Sequence, residues 1–421
     1  MALVVQKFGG TSMGSIERIK NAAARTIAAH AEGNRVVVIV SAMSGETDRL
    51  LKLARDVTSV PDAREMDALA ATGEQVASAL MAIAIHAQGH RARSYLGHQM
   101  RILTDSAFTK ARIKAIDASR VVETLAGGEI VVVAGFQGVD EAGNITTLGR
   151  GGSDTSAVAI AAALGADVCE IFTDVDGVYT TDPNICPTAR KIDRISYEEM
   201  LELASLGAKV LQIRSVEMAM KYGVPVHVRS SFSSSPGTLV THEGDLEQVV
   251  VTGIAYDKGE ARVMLVGVRD QPGVVAEIFT ALAAHNVSVD MIIQNVSVDA
   301  TALASAGGQG PHTDVTFTVA KNDLARVRDA IAEVGRKVGA GDVRYDEDIV
   351  KVSVVGLGMR SHAGVAAKMF RILAEHGINI QAISTSEIKV SCLVATKYTE
   401  LAVRALHEGF ELGGDQAATS K

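Results

Sequence analysis

The sequence predicts an α/β chain: a layered strand–helix domain followed by two ferredoxin-like βαββαβ units. Two observations carry this. Apolar strand patterns alternate with helical patterns through the first half. The second half contains a segment that repeats itself. Gly273 and Gly364 lie 91 positions apart, as do His285 and His376, and Val289 and Ile380.

In the first half the strands are Ala2–Gln6, Arg35–Met43, Glu129–Gly138, Asp167–Val175 and Val224–Ser231. Several are continuously apolar, as strands buried on both faces of a parallel sheet must be. Helical patterns fall at Ser15–His30, Glu65–Ala87, Ser153–Ala163 and Glu198–Tyr222. This alternation ends near Pro236–Thr241. A strand-like "QVVVTGIAYD" then leads into the repeats, Val263–Ser297 and Val352–Ser386. Each copy reads strand, glycine turn, helix, strand, with a further strand and helix expected after it. The Ala/Gly-rich stretch Asp299–His312 reads as a loop.

Composition narrows the function classes. The chain has 421 residues, enough for two or three domains. Hydrophobic residues make up 47% and charged residues 21%, the profile of a globular protein. Formal net charge is −8, with no basic footprint for nucleic acid. Cys169, Cys186 and Cys392 are far apart and form no C-x-x-C pair, which points to reduced thiols and away from a structural zinc site. The N-terminus does not read as a signal peptide, and stretches such as "ALMAIAI" are too short to span a bilayer. The expected location is the cytoplasm, with no membrane partner.

The chemistry concentrates in paired loops. "VVQKFGGTS" places Lys7 and the pair Gly9–Gly10 directly behind the first strand. "TTLGRGGSDTSAVAIAAALGADV" repeats the device with Arg150, Gly151 and Gly152, followed by Ser153, Asp154 and Thr155 at a helix start. Glycine admits close backbone approach, and a helix N-terminus favours negative charge. One such loop is equally well a tight turn; two matched loops favour an anionic ligand. The chain lacks the P-loop signature, and "GLGMRS" has Ser361 where a third glycine would stand.

Three further stretches stay ambiguous on residues alone. "FTDVDGVYTTDP" carries Asp174, Asp176 and Asp182, either as nucleotide or Mg²⁺ contacts or as turn chemistry. In "ATGEQVASALM", Glu74 opens an apolar helix, either as a first-turn dipole partner or as a holder of a ligand ammonium. Lys209 in "LGAKVLQIRS" is a solvated or a ligand-facing lysine.

Taken in order along the chain, "KFGGTS", "SAMSGETD", "TGEQVAS", the Thr146–Pro183 stretch, "GAKVL" and the tandem repeats with "QNVS" and "STSEI" resemble the aspartate kinase family. The likeness is to the monofunctional form. It implies a three-layer, carbamate-kinase-like amino-acid kinase domain at 1–245 and two ACT regulatory regions at 246–340 and 341–421. It implies transfer of the ATP γ-phosphoryl group to the side-chain carboxylate of L-aspartate, with Mg²⁺ accompanying ATP. That acceptor is already ionised at neutral pH, so no general base is needed. Cations and positioning carry the reaction.

By the same resemblance, Lys7 contacts the phosphates, Gly9 and Gly10 cradle them, and Arg150 pairs with a substrate carboxylate. Glu74 holds the substrate ammonium, Ser41 and Thr47 position the substrate with Ser153, and Asp154 organises the cations. Thr173, Asp174, Tyr179, Asp182 and Lys209 line the nucleotide site. Asp270, Asp290, Gln294, Asn379, Ile380, Ser386 and Glu387 fall where the family binds lysine, threonine or both as feedback effectors. The resemblance further implies a homo-oligomer through the ACT regions. Some relatives add a shorter subunit made from an internal start. The Asp299–His312 loop is longer than usual in the family and lies in the presumed effector region. Competing readings are kinases of the same fold acting on glutamate, acetylglutamate, carbamate or UMP, and a catalytically silent amino-acid sensor.

Overall fold

The computed structural model describes residues 1–206, 210–242, 250–296, 312–360, 362 and 364–413. Lys209 and most of the Asp299–His312 stretch therefore lie outside the described residues. The chain forms two compact units, Met1–Thr180 with Arg190–Gln248, and Thr181–Ala189 with Val249–Lys421.

The first unit is built on an eight-stranded sheet. Its strands run in the spatial order 194–196, 238–241, 226–230, 168–173, 3–8, 35–40, 130–134, 92–95. All neighbours are parallel except 226–230 with 238–241. The expected continuous apolar strands are the central ones. Leu3–Phe8 is buried along its whole length, and so are Val36–Val40 and Ile130–Ala134. Each such Val or Ile contributes roughly 1.5–3 kcal/mol on burial. A second, four-stranded sheet lies outside the strand–helix alternation, in the order 113–116, 102–104, 137–139, 145–147.

Two expected helices are each divided. Glu65–Ala87 becomes Ala63–Ala70 and Thr72–Ala87, joined at Ala71. The combined run of 25 residues is long and apolar enough to cross a membrane by length and composition, contrary to the sequence reading. More than half of its most apolar window is buried inside the protein, as in a core helix. Glu198–Tyr222 becomes Tyr197–Ser205 and Ile213–Tyr222. The first of these starts at a capping box. Ser196 Oγ accepts from Glu199 N at 3.1 Å, and the Glu199 carboxylate accepts from Ser196 N at 3.3 Å.

The second unit contains both repeats. The first is a continuous βαββαβ unit: Glu260–Arg269, Val274–Ala284, Val289–Val296, His312–Ala320, Lys321–Lys337 and Asp342–Asp346. The second runs Ile349–Val355, Val365–Glu375, Ala382–Thr385, Lys389–Ala395 and Thr399–Gly409. It is completed differently from the expectation. Its remaining strand is Gly253–Asp257, which precedes the first repeat and pairs antiparallel with Ile349–Val355. The first repeat is thus inserted into the second. The repeat glycines keep one geometry, Gly273 with φ +98° and Gly364 with φ +104°, each capping the helix that follows.

Thr181–Ala189 also belongs to this unit. Ile185 is buried in the core of the second repeat, Arg404 Nε donates to Ile185 O at 2.7 Å, and Tyr256 donates to Asp182 Oδ2 at 3.0 Å.

Candidate active site

The first unit holds a cavity of about 890 Å³ at the ends of strands Leu3–Phe8, Arg35–Val40 and Val168–Thr173. Lys7, Gly9, Gly10, Ser41, Thr47, Glu74, Arg150, Ser153, Asp154 and Thr173 all line it. Ten of the residues singled out in the sequence therefore converge, although they span 167 positions of chain.

Lys7 sits in the middle of the sheet, paired with Ile39 on one side and Ile171 on the other. It is 8% exposed, and its ammonium lies 2.5 Å from Asp154 Oδ1. A buried ammonium needs such a partner. Asp154 stands in the first turn of the helix Gly152–Leu164, where the dipole favours an anion.

The two glycine loops differ more than their sequences suggest. The second does feed a long helix, with Gly151 as its cap at φ +71°. That left-handed φ strains any L side chain at Gly151, and an added Cβ would also have to displace the Gln212 side chain, 1.7 Å away. The first leads only into a three-residue turn, Thr11–Met13, and the long helix starts later at Ile16, capped by Ser15. The N–H of Gly9 is already bonded to Phe172 O at 3.2 Å. The first loop therefore offers its ammonium rather than a full cradle of N–H groups.

Glu74 is 3% exposed on the helix Thr72–Ala87. Its Oε1 accepts from Ala42 N at 3.0 Å, while Oε2 is buried with no hydrogen-bond partner among the described residues. Burial pushes its pKa up to about 7, and the bond from Ala42 opposes that rise. Gly73 makes the arrangement possible, because a Cβ there would meet Ala42 Cβ at 2.8 Å. A buried, half-satisfied carboxylate lining a cavity is suited to a ligand cation.

Arg150 is exposed and forms no ion pair with any described residue. Among the described residues the cavity thus presents three cations, Lys7, Arg55 and Arg150, of which Lys7 is already paired with Asp154, with Glu74 as a separate cation acceptor.

Other expected residues are not brought there. Asp174 is exposed and accepts from Thr173 Oγ1 at 3.2 Å, beyond the cavity lining. Tyr179 makes a bridge with Lys191 and does not line the cavity. Asp182 lies in the second unit, held by Tyr256. The run "DVDGVYTTDP" read as one loop, but its last residues leave the first unit. Asp67 was missed. It is 1% exposed, lines the cavity, and accepts three hydrogen bonds, from Thr109 N, Thr147 N and Thr147 Oγ1. Only its place two residues after Glu65 in a helix start hinted at anything.

In the second unit, Asp290 is paired with the buried ammonium of Lys351, which also meets Glu260. Desolvation works against ionisation at Asp290, but its bond to Lys351 prevails and holds the carboxyl below the usual range. Desolvation dominates at Glu260 and raises its pKa. Gln294, Asn379, Ser386 and Glu387 are exposed, Asp270 is half-buried after the strand Glu260–Arg269, and Ile380 packs against the second repeat's core.

A parallel sheet carrying an anion-ready cavity over its strand ends, joined to paired ferredoxin-like units, defines a kinase of the amino-acid kinase class. Residues 2–230 match the amino acid kinase family, and residues 262–336 and 352–410 each match an ACT domain. The chain is 55% identical over 415 residues to the aspartokinase of Pseudomonas aeruginosa, covering 98% of both chains. It is similar to the structure of E. coli aspartokinase III in complex with aspartate and ADP in the R-state, at 25% identity and TM-score 0.80. It is also similar to that enzyme in complex with lysine and aspartate in the T-state, at 25% identity and TM-score 0.75. Each covers 97% of this chain and 99% of the other. The chain belongs to the aspartokinase family, and it is a phosphotransferase.

Proposed function

We propose that this protein transfers the γ-phosphoryl group of ATP to the side-chain carboxylate of L-aspartate, forming 4-phospho-L-aspartate. The observation that carries the reading is the buried Oε2 of Glu74, which has no hydrogen-bond partner among the described residues, in the same cavity as Lys7 and Arg150. An acidic amino acid has one ammonium and two carboxylates, and among the described residues this cavity offers Glu74 as a matching acceptor and three cations, Lys7, Arg55 and Arg150, to serve those carboxylates and the phosphates. Phosphoryl transfer between anions is governed by positioning and charge stabilisation. Lys7 stabilises charge on the phosphoryl group in transit, Arg150 binds a substrate carboxylate, and Glu74 orients the substrate ammonium. Ser41, Thr47 and Ser153 complete the substrate side; Gly9, Gly10 and Thr173, with Lys209, serve the nucleotide side. Asp154 holds Lys7 in place and does not act as a base.

Mg²⁺ accompanies ATP in this reading. Among the described residues no three His, Cys, Asp or Glu side chains gather to hold a metal. An ion that takes most of its ligands from phosphate and water would need no such cluster, and Asp154, whose Oδ1 meets Lys7, would be a carboxylate of the cavity able to reach it with its other oxygen. Bound there, the ion would neutralise phosphate charge.

The reaction opens the route to lysine, threonine, methionine and diaminopimelate in the cytoplasm. The paired ACT units support feedback inhibition by lysine, threonine or both, bound near Asp270, Asp290, Gln294, Asn379, Ile380, Ser386 and Glu387. The lysine-bound state of E. coli aspartokinase III supports the same reading. A homo-oligomer through the ACT units, with or without a shorter internal-start subunit, completes it.

The test is ATP- and Mg²⁺-dependent acyl phosphate formation, trapped by hydroxylamine as the hydroxamate. Aspartate should give the hydroxamate and glutamate should not, and lysine or threonine should lower the rate. A folded protein that still binds an amino acid but forms no aspartyl hydroxamate would favour the sensor reading.

A further inference from the structure

The buried carboxylate of Asp67 ties together two parts of the cavity that sequence keeps far apart. It stands on the helix Ala63–Ala70, which runs through Ala71 into the helix that carries Glu74. Its Oδ2 accepts from Thr147 N at 2.8 Å and from Thr109 N at 2.9 Å, and its Oδ1 accepts from Thr147 Oγ1 at 2.6 Å. No described cation pairs with it. A charge at 1% exposure is costly unless it is fully hydrogen-bonded, and here three donors converge on it.

Thr147 ends a strand of the small sheet, three residues before Arg150. The next residue is held from other directions. Leu148 N donates to Phe136 O at 2.9 Å, and Arg214 Nη1 donates to Leu148 O at 2.6 Å. Residues 147 and 148 are thus fixed, and the exposed Arg150 projects from that anchor.

We propose that Asp67 is a positioning residue that sets the spacing between Glu74 and Arg150, and through it the length of acidic amino acid the site accepts. The proposal rests on the assignment of Glu74 to the substrate ammonium and Arg150 to a substrate carboxylate. Those two groups bind opposite ends of one small molecule, so their separation is a ruler. Asp67 links the helix of one to the loop of the other through Thr147. A displacement of about 1 Å at such a site is enough to cost on the order of a hundredfold in rate.

The experiment compares Asp67→Ala, Asp67→Asn and Thr147→Val with the wild-type full chain in the hydroxamate assay. KM is measured for aspartate and for ATP, glutamate is run as the competing acceptor, and thermal unfolding is followed. Asp67→Ala should raise the aspartate KM about tenfold or more, leave the ATP KM within about twofold, and narrow the preference for aspartate over glutamate. Asp67→Asn should restore most of this. Its carboxamide oxygen can accept both backbone N–H groups while its NH₂ donates to the Thr147 hydroxyl. Thr147→Val, which keeps the backbone bond, should shift the same two readouts less. A lowered unfolding temperature with unchanged aspartate KM and unchanged discrimination would overturn the proposal and leave Asp67 as a purely structural group. If Asp67→Ala does not fold, the same two readouts in Thr147→Val decide. Wild-type protein that makes no aspartyl hydroxamate would sink the kinase assignment itself, a result distinct from any failure of the variants.

Discussion

The Lys7 ammonium and Asp154 Oδ1 lie 2.5 Å apart, both nearly buried, on elements separated by almost the full length of the first domain-forming stretch. One comes from the central strand and the other from the first turn of the helix Gly152–Leu164. The pair holds a cation at the strand ends without leaving its charge unmet. Lys7→Ala should lower kcat for phosphoryl transfer by about 10²–10³, the usual cost of removing one group that stabilises transition-state charge. Asp154→Asn should lower it less, because the ammonium remains but loses its anchor. Hydroxamate kinetics check both. Lys7→Ala activity near the wild-type level would remove Lys7 from the mechanism.

Glu74 makes the site pH-dependent. Its pKa is pushed up to about 7 by burial. A protonated Glu74 does not attract an ammonium, so kcat/KM for aspartate should rise between pH 6 and pH 8, with an apparent pKa near 7 in the free enzyme. Stability runs the other way. A carboxyl whose folded pKa is raised favours the folded state below its unfolded value near 4.5, and that advantage is lost as pH rises through 7. At pH 8 the ionised group costs on the order of 3 kcal/mol. Glu74→Gln should therefore be more stable than wild type at pH 8, with the gap closing toward pH 5, while aspartate binding collapses. Thermal melts across pH, paired with aspartate KM, test this. A flat stability difference would show that Glu74 does not titrate in this range.

Much of this site was legible because its chemistry needs particular residue types next to glycine. Lys7, Arg150, Asp154 and Glu74 could be found from two loops and a helix start, and the structure brings them into one cavity. The 91-residue repeat was equally readable, since both copies need a left-handed glycine before the helix. What escaped depends on tertiary pairing. Gly253–Asp257 completes the second repeat from across an inserted domain, and no local pattern encodes that partner. Asp182 reads like the rest of its loop, yet it belongs to the second unit, where Tyr256 donates to it. Asp67 looks like an ordinary polar helix residue until Thr147 folds onto it from 80 positions away.

Gly73 is the hinge of the Glu74 geometry. A Cβ at this position would stand 2.8 Å from Ala42 Cβ, closer than two such carbons approach, and neither is the end of a flexible chain. Gly73→Ala should push the helix away from the strand end and lengthen the bond from Ala42 N to Glu74 Oε1. The expected cost is about 1–3 kcal/mol in stability, as for other overpacked positions, together with a raised aspartate KM. Denaturant melts and aspartate kinetics check the two effects. A stable variant with unchanged KM would mean the strand end yields without moving Glu74.

Lys351 tests the regulatory unit in the same way. Its buried ammonium meets Glu260 and Asp290, one from each of two strands in the inserted repeat, while Lys351 itself lies on a strand of the surrounding repeat. The charge therefore joins the two repeats. Lys351→Met would leave the two carboxylates facing each other without the buried cation between them, with, among the described residues, only the charge of Lys389 still acting on Asp290. Removing one partner from a buried ionic cluster costs about 3–5 kcal/mol, and the half-exposed Asp290 places this one toward the lower end. The loss should be larger at pH 8 than at pH 5, because protonation of Glu260, whose pKa is already raised by burial, relieves the repulsion. Glu260→Gln in the Lys351→Met background should recover part of the stability. The catalytic cavity contains none of these residues, so uninhibited kcat should change little while inhibition by lysine or threonine weakens. Melts at the two pH values and inhibition curves decide it: equal destabilisation at both, or inhibition as strong as in wild type, would separate the cluster from regulation.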